Sequence, residues 1–468
     1  MMKSINTDIL KLAIPSILAN ITVPIVGMVD IAVAGHLDTS AATLIGGIAI
    51  GSMLFDLLYW NFGFLRIGTG GLAAQAYGKG DRQECARILA RALGIAWTCA
   101  LVLIAVQWVF VKAAFLVVEC TPEVRELASQ YFFIRIWAAP ATLGLMALKG
   151  WFIGMQDSVS AMVADLTVNA VNVAMSIVLA LGFTVSGLHY EGMGFRGVAW
   201  GTVVAQYSGL LTALGMLLWK YHKDTLSTIG QGQMRGLFKG AETRRFFVMN
   251  ADLFVRSLCF IAIYIGFTVI SARYGDVLLA VSSILMKLLM IFSYFTDGFA
   301  YAGEALTGRY IGARDGAMVR AVVRRTFVWS MSIAVLFIGI YHFAGVPMLR
   351  MMTSDAAVVE AAREYLPWLL LMPVVGCAAF TWDGIYVGAT ASRQMRNSML
   401  WSVVAFAVVW TVGILVLSLA APQAPRYACL AMHLLMGAYF AHLLARTVYL
   451  TVKYPGIYYL CKDLAQGK

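Results

Sequence analysis

The sequence predicts an all-α polytopic membrane protein with twelve transmembrane helices in two pseudo-symmetric six-helix lobes around a central cavity. The first observation is composition: 61% of the 468 residues are hydrophobic, 13% are charged and the mean hydropathy is +0.79. Soluble domains carry about 25% charged residues, so the composition is that of a membrane protein. The other two observations are the number of spanning segments and a repeat between the halves of the chain.

Twelve apolar segments are long enough to cross a bilayer as helices. They lie at residues 9–36, 44–74, 86–116, 124–152, 160–183, 194–221, 243–273, 277–304, 319–346, 358–387, 397–421 and 427–452. The connections after the second, sixth, eighth and tenth segments are rich in Lys and Arg, whereas the odd-numbered connections are poor in both. The positive-inside rule therefore places the even-numbered connections and both termini in the cytoplasm.

The net charge of +11 is explained by these short basic connections, so we expect no nucleic-acid partner. The seven cysteines lack the spacing of a disulfide framework or a metal site, and we expect neither. The longest polar connection falls near the middle of the chain. We interpret 221–242 as a cytoplasmic inter-lobe loop between an N-terminal lobe, 1–220, and a C-terminal lobe, 243–468, each with six spans.

Two motifs recur in the second half at a constant offset. The segment 77–93 resembles 310–327, with Gly78 matching Gly312, and the segment 150–158 resembles 384–392, with Gly154 matching Gly388. Both glycine pairs are separated by 234 residues. Since the repeat preserves the odd-to-even order of the spans, the halves are predicted to be parallel repeats that enclose a cavity.

The first span, 12–35, contains Asn20, Pro24 and Asp30. An ionisable residue inside a span is costly and usually marks an ion pathway, so we interpret Asp30 as a proton- or cation-binding residue. The alternative is that Asp30 pairs with a buried cation or caps a helix near the membrane surface. Pro24 removes a backbone donor and predicts a kink six residues before the acid.

Motifs for ATP hydrolysis or covalent catalysis are missing from the sequence. It has no Walker motif, nucleophile elbow or HExxH, so we expect neither an ATP-driven pump nor an enzyme. The run Gly68–Ala73 superficially fits a dinucleotide fingerprint, but it lies in an apolar span, where small residues permit close helix packing. We expect no cofactor other than a coupling H⁺ or Na⁺.

Longer motifs resemble those of the MATE (multidrug and toxic compound extrusion) transporters, and in particular their DinF-like branch. They are LAIPSILANITVPIVGMVDIAVAGHL, LRIGTGGLAAQAYGKGD, NAVNVAMSIVLALGF, GFRGVAWGTVVAQY, NADLFVRSL and WDGIYVGATASRQMRNSM, and they cover essentially the whole chain. The resemblance implies an antiporter that exports small amphipathic, often cationic, compounds against an inward proton or sodium gradient. It further implies a multi-pass protein of the bacterial inner membrane, which we expect to be a monomer surrounded by lipid.

The resemblance also assigns coupling residues. The first-helix acid of the family falls on Asp30 and its fifth-helix asparagine on Asn172, but Ser176 stands where a second acid is common. Asn169 lies on the same helical stripe, which Asp165 extends by one turn. A serine holds no negative charge, so Asp30 acts with fewer acidic partners. The alternative is that the stripe joins helices by hydrogen bonds.

Further polar residues inside spans are predicted to line the substrate cavity or a gate. In the first half they are Asn20, Pro24, Asp165, Thr202, Arg66 and Gln75, the last two near an inner gate. In the second half, Arg256, Asp383 and Lys287 lie within apolar segments, either as a buried ion pair or as substrate contacts. Asp383 is close to the cytoplasmic end of its span and is predicted to be a gate or latch.

Two other functions remain open from the sequence. A flippase for a lipid-linked precursor belongs to the same wider superfamily, but it requires several Arg and Lys side chains to bind a diphosphate, and the first half has few. A non-transporting membrane scaffold predicts no gradient-dependent flux and leaves Asp30 unexplained.

Overall fold

The computed structural model describes residues 2–465 except 36, 38–40, 117, 119, 186–187, 229–239, 354 and 421–425. Half of the predicted inter-lobe loop, 229–239, therefore lies outside the described residues. In chain order the helices are α1 (Met2–Gly35), α2 (Ala41–Trp60), α3 (Phe64–Gly78), α4 (Arg82–Ala114), α5 (Pro122–Arg135), α6 (Ala139–Gly154), α7 (Ser158–Leu181), α8 (Phe195–Tyr221), α9 (Ala241–Ala272), α10 (Asp276–Gly312), α11 (Gly316–Met352), α12 (Ala356–Gly388), α13 (Ser392–Ala420) and α14 (Tyr427–Ala465).

Within these ranges, twelve helical segments are long and apolar enough to cross a membrane, which confirms the predicted number. The observed helices extend beyond the predicted segments at several ends. The eighth segment, predicted to end at 304, continues in α10 to Gly312, and the ninth begins at Gly316. The added turns belong to the repeated polar motif, whose backbone continues the helical hydrogen bonding past the apolar run that hydropathy detects.

Two spans of the first half are each made of two helices. The second span is α2 followed by α3, and the fourth is α5 followed by α6, with the 3₁₀ turn Ile136–Ala138 between them. Proline in the first turn of α6 suits a helix start, because the missing N–H has no intrahelical partner there. The corresponding spans of the second half, α10 and α12, are continuous.

A short β-hairpin follows α7, where the sequence predicted helix up to residue 183. Strands β1 (Gly182–Val185) and β2 (Leu188–Glu191) pair antiparallel, with Gly182 opposite Glu191 and Val185 opposite Leu188. The predicted end of this span was therefore wrong by two residues. The alternation of Phe183 and Val185 with less apolar neighbours favours a strand over a further helical turn.

The described chain forms two compact units. The N unit is Leu18–Phe246, and the C unit is Met1–Ile17 together with Phe247–Lys468. The first half of α1 thus packs in the C unit, where Asn6 Oδ1 accepts a 3.4 Å hydrogen bond from Trp329 Nε1. The second half of α1 packs in the N unit. The division into lobes 1–220 and 243–468 stays a prediction.

The core of each unit is a set of buried apolar side chains shared among its helices. In the C unit this core includes Phe267, Leu285, Phe292, Tyr365 and Met432, which come from the four helices α9, α10, α12 and α14. Many apolar side chains on the outside of the helices remain exposed. An apolar exterior is what a lipid-facing surface requires, because lipid tails are as apolar as leucine.

The 234-residue repeat is present in the backbone of both units. A Cβ built on Gly150 would lie 2.2 Å from the carbonyl oxygen of Arg66, and a Cβ on the matching Gly384 would lie 2.0 Å from that of Ala300. Only glycine permits two helix backbones to approach this closely. The same glycine-mediated helix contact is therefore built into each unit.

The turns after these contacts also match. Gln156 and Thr390, again 234 residues apart, both adopt positive φ, at 66° and 53°. Asp81 and Asp315 each cap a helix N-terminus by accepting a backbone N–H bond three residues ahead, at 2.9 and 3.0 Å. Motifs identified as repeats in sequence thus form equivalent turns and caps.

Candidate functional site

Asp30 lies near the carboxyl end of α1 and is only 7% exposed. Its Oδ1 accepts a 2.9 Å hydrogen bond from the hydroxyl of Ser176 on α7. The structure therefore joins the predicted acid to the serine that stands where a second acid is common. At this point of the N unit, one carboxylate with a hydroxyl partner stands where the family resemblance implies a pair of carboxylates.

Asn172 lies one turn before Ser176 on the same face of α7. Its side chain is 2% exposed and its Nδ2 donates a 3.0 Å hydrogen bond to Thr202 Oγ1 on α8. Among the described residues, the Asn172 Oδ1 atom is buried without a hydrogen-bond partner. Buried hydrogen-bond acceptors nearly always have a donor, so this oxygen lacks the hydrogen bond that a buried acceptor normally accepts.

The rest of the α7 stripe holds neighbouring helices. Asn169 Nδ2 donates to Thr22 Oγ1 of α1 at 2.5 Å. Asp165 forms a 2.7 Å ion pair with Lys149 of α6. Asn169 and Asp165 therefore join α7 to neighbouring helices, by a hydrogen bond and an ion pair respectively. Lys149 was missed in the sequence analysis, although an isolated lysine in an apolar span is a signal of the same kind as Asp30.

Two further charged residues of the N unit were missed: Arg135 at the end of α5 and Asp56 in the last turns of α2. Arg135 Nη1 donates to Tyr131 Oη at 3.1 Å and to Ser52 Oγ at 3.4 Å. Its guanidinium interacts electrostatically with both Asp30 and Asp56. Arg135 and Asp56 are each the single charged residue of an apolar run in the sequence. That pattern was the signal from which both could have been identified.

The remaining predicted residues of the N unit are spread over several helices. Asn20 and Pro24 are half-buried along α1, which is helical throughout, and Arg66 is half-buried in the first turn of α3. Gln75 is buried near the end of α3, and its Oε1 accepts a 3.0 Å hydrogen bond from Arg245. The kink at Pro24 and the inner gate stay predictions.

In the C unit, Asp383 binds two arginines. Its Oδ2 lies 2.5 Å from Arg256 Nη2, and its Oδ1 accepts a 3.0 Å hydrogen bond from Arg446 Nε. Arg446 also forms an ion pair with Oδ2, and its side chain is 2% exposed. The structure thus places Arg256 and Asp383 in one cluster and adds Arg446, which the sequence analysis missed. Lys287, expected deep in its span, has an exposed side chain instead.

A cluster outside the spans surrounds Asp157, in the turn between α6 and α7. Its carboxylate caps α7 through Ser160 N at 3.1 Å and accepts hydrogen bonds from Ser160 Oγ at 2.6 Å, Lys220 Nζ at 3.0 Å and Tyr221 Oη at 3.0 Å. Burial raises the pKa of Asp157, but the hydrogen bonds from Ser160 and Lys220 outweigh it, so the pKa lies below its usual value.

The sequence matches the MatE family model over residues 15–178 and 253–415. It is 36% identical over 398 residues to DNA damage-inducible protein F of Escherichia coli K12, covering 85% of this chain and 83% of that protein. It is 22% identical over 417 residues to a probable multidrug resistance protein NorM of Photorhabdus laumondii, covering 87% and 86%.

The fold is that of solved transporters. The outward-facing structure of a multidrug resistance MATE family transporter of the MOP superfamily superposes with a TM-score of 0.82, at 14% sequence identity over 97% of this chain and 96% of that one. A eukaryotic MATE transporter, AtDTX14, superposes with a TM-score of 0.81 at 13% identity, covering 99% and 98%. The predicted fold class is confirmed.

Proposed function

This chain belongs to the MatE family, and on that premise we propose that it is a secondary active antiporter. It exports small amphipathic, often cationic, compounds across the membrane in exchange for protons. Sodium is the second candidate for the coupling ion. The observation that carries the proposal is the Asp30–Ser176 pair, together with the buried Asn172 Oδ1 atom that has no partner in the described structure and belongs to the residue one helical turn before Ser176.

These groups provide hydrogen bonds for both protonation states of Asp30. The ionised carboxylate accepts from Ser176, as the structure shows. A protonated carboxyl group gains one O–H donor, and Asn172 Oδ1 is a buried acceptor without a partner in the described structure. Since the hydroxyl of Ser176 is both donor and acceptor, it serves either state. A site that satisfies both states binds and releases a proton without leaving a buried polar group unpaired.

Coupling follows if protonation of Asp30 and binding of a cationic substrate in the N unit disfavour each other. An ionised Asp30 favours a cationic substrate in the N unit, and protonation from the outer side removes that attraction. The change is transmitted to α1 itself, because Asp30 is part of that helix and Pro24 leaves one of its turns without a backbone hydrogen bond. We propose that α1 bends at Pro24 when Asp30 is protonated.

The contacts of the N unit disfavour the flippase alternative. A diphosphate requires several unpaired Arg and Lys side chains. Lys149 is already paired with Asp165, and Arg135 interacts electrostatically with two carboxylates. A diphosphate placed beside Arg135 would be repelled by Asp30 and Asp56, whereas a cation would not.

The setting of the transporter is part of the proposal. Twelve spans and a bacterial relative support a location in the bacterial inner membrane, and the basic connections support cytoplasmic termini. We propose that the transporter acts as a monomer.

Flux of a fluorescent cation into or out of proteoliposomes tests the proposal. We expect flux when a proton gradient is imposed and none when sodium alone is imposed. Flux that follows only sodium would overturn proton coupling. Flux that is absent or independent of both gradients would overturn the antiporter and favour the scaffold.

A further inference from the structure

We propose that Asp56 of α2 contacts the positive charge of the substrate, and that Arg135 separates this cation site from the proton site at Asp30. The inference rests on the proposed export function and assigns the two tasks of the antiporter to two carboxylates. The sequence analysis singled out neither Asp56 nor Arg135, although each is the single charged residue of an apolar run.

Asp56 is the single charged residue of the apolar helix α2. It lies fifteen residues after the start of α2, about 22 Å along the helix axis at 1.5 Å per residue. Its side chain is exposed, and it forms no hydrogen bond within the described part of the N unit. Ionisable groups within spans face water-filled cavities or other protein groups and not lipid. The exposed carboxylate is therefore available to a ligand in an aqueous cavity.

Arg135 of α5 holds its positively charged guanidinium against α2. Its guanidinium donates to Ser52 Oγ at 3.4 Å and lies 4.9 Å from the centre of the Phe55 ring. Ser52 and Asp56 are one helical turn apart and so lie on one face of α2. Arg135 also interacts electrostatically with both Asp30 and Asp56, so a change in the charge of either acid acts on the same guanidinium.

The two acids differ in their surroundings. Asp30 is buried and accepts a hydrogen bond from Ser176, as a group that binds a proton requires. Asp56 is exposed and shares its face of α2 with Met53, which is 39% exposed, and with Trp60. A carboxylate flanked by a thioether and an indole suits a large amphipathic cation, which binds through charge, dispersion and aromatic faces.

The helix breaks point to the same place. Asp56 lies one turn before α2 ends at Trp60, and Arg135 is the last residue of α5 before the 3₁₀ turn. Discontinuous helices commonly form the binding sites of transporters, and their carboxyl ends carry partial negative charge that attracts cations. The continuous helices α10 and α12 give the C unit no such breaks at the matching positions.

Binding measured with two probes on the full-length protein in lipid nanodiscs tests the inference. Rhodamine 6G is the cationic probe, and uncharged N-phenyl-1-naphthylamine is the neutral one. We expect Asp56→Asn to weaken rhodamine 6G binding by about tenfold or more, while binding of the neutral probe changes by less than about threefold. Asp56→Glu should restore most of the affinity for the cation.

Two further variants separate the tasks. Asp276→Asn, at the exposed start of α10, is the matched control and should bind both probes like the wild type. Asp30→Asn should still bind rhodamine 6G but lose the pH dependence of that binding. Equal loss of both probes in Asp56→Asn, or wild-type binding of both, would overturn the role of Asp56 while leaving gradient-driven export by the wild type intact. A wild-type protein that binds no cationic probe would instead overturn the proposed function and this inference together.

Discussion

Replacing Asp383 by Asn is predicted to destabilise the C unit strongly, because two arginines would lose the anion they share. The Asp383 carboxylate binds Arg256 at 2.5 Å and the Nε atom of Arg446 at 3.0 Å. Removing one member of a buried ion pair costs about 3–5 kcal/mol, since the partner stays buried without compensation. Asp297 also interacts electrostatically with Arg446, so we expect the lower end, about 3 kcal/mol.

This loss of unfolding free energy corresponds to a measurable decrease in the melting temperature. For units of 150–250 residues, about 3 kcal/mol corresponds to a decrease of roughly 6–12 °C in the melting temperature. Intrinsic fluorescence of the purified protein in detergent would record this shift, with Asp276→Asn as the control for loss of an exposed carboxylate. The double variant Asp383→Asn/Arg446→Met should recover part of the loss, because it removes one of the two uncompensated cations.

Transport gives the second readout for the same variant. Asp383→Asn is expected to slow export without removing its dependence on the proton gradient, since the proposed coupling residues lie in the N unit. A melting temperature within about 2 °C of the wild type would show that the C unit does not depend on the Asp383 carboxylate for its stability, because it would then tolerate the two arginines without their anion. Complete loss of coupling in a well-folded Asp383→Asn protein would place the coupling site in the C unit.

Two further predictions concern the cytoplasmic side and the orientation of the chain. Because the folded-state pKa of Asp157 is depressed, its ionised form stabilises the fold above the unfolded pKa of about 3.9. This stability is lost as pH falls through the lower folded value. Asp157→Asn should therefore unfold more easily than the wild type at pH 7, and the difference should shrink as the pH is lowered below about 3.9. A difference that does not change with pH would contradict this prediction. Separately, a cysteine placed in the 221–245 connection should resist an impermeant thiol reagent added outside intact cells, and efficient labelling there would reverse the assigned topology.

The parts of the fold that sequence predicted are those set by local patterns. The length of each apolar run determines where a helix crosses the membrane, so the number of spans was predictable. The repeat was predictable because close helix approach demands glycine, as at Gly150 and Gly384. The β-hairpin at 182–191 was missed, because a short apolar run reads as helix or strand equally well.

The candidate site was only partly predictable. The Asp30–Ser176 contact was anticipated through a family motif that places both residues. The contact between Arg135 and Ser52 joins residues 83 positions apart on different spans, and no local pattern encodes it. Arg446 was missed for the same reason, since its partner Asp383 lies 63 positions earlier in another helix.

The proposed mechanism depends on Asp30 as the carrier of the coupling proton. The most direct measurement is export of rhodamine 6G by Asp30→Asn in proteoliposomes under an imposed proton gradient, beside the wild type. Asn keeps the size of Asp and an acceptor for Ser176, so the variant should fold, but it cannot titrate. Asp165→Asn, on the same stripe but paired with Lys149, is the matched variant and should retain gradient-driven export. We predict that export by Asp30→Asn falls to the level of empty liposomes while rhodamine 6G binding persists. Export by Asp30→Asn at the wild-type rate would contradict the account and show that Asp30 is structural.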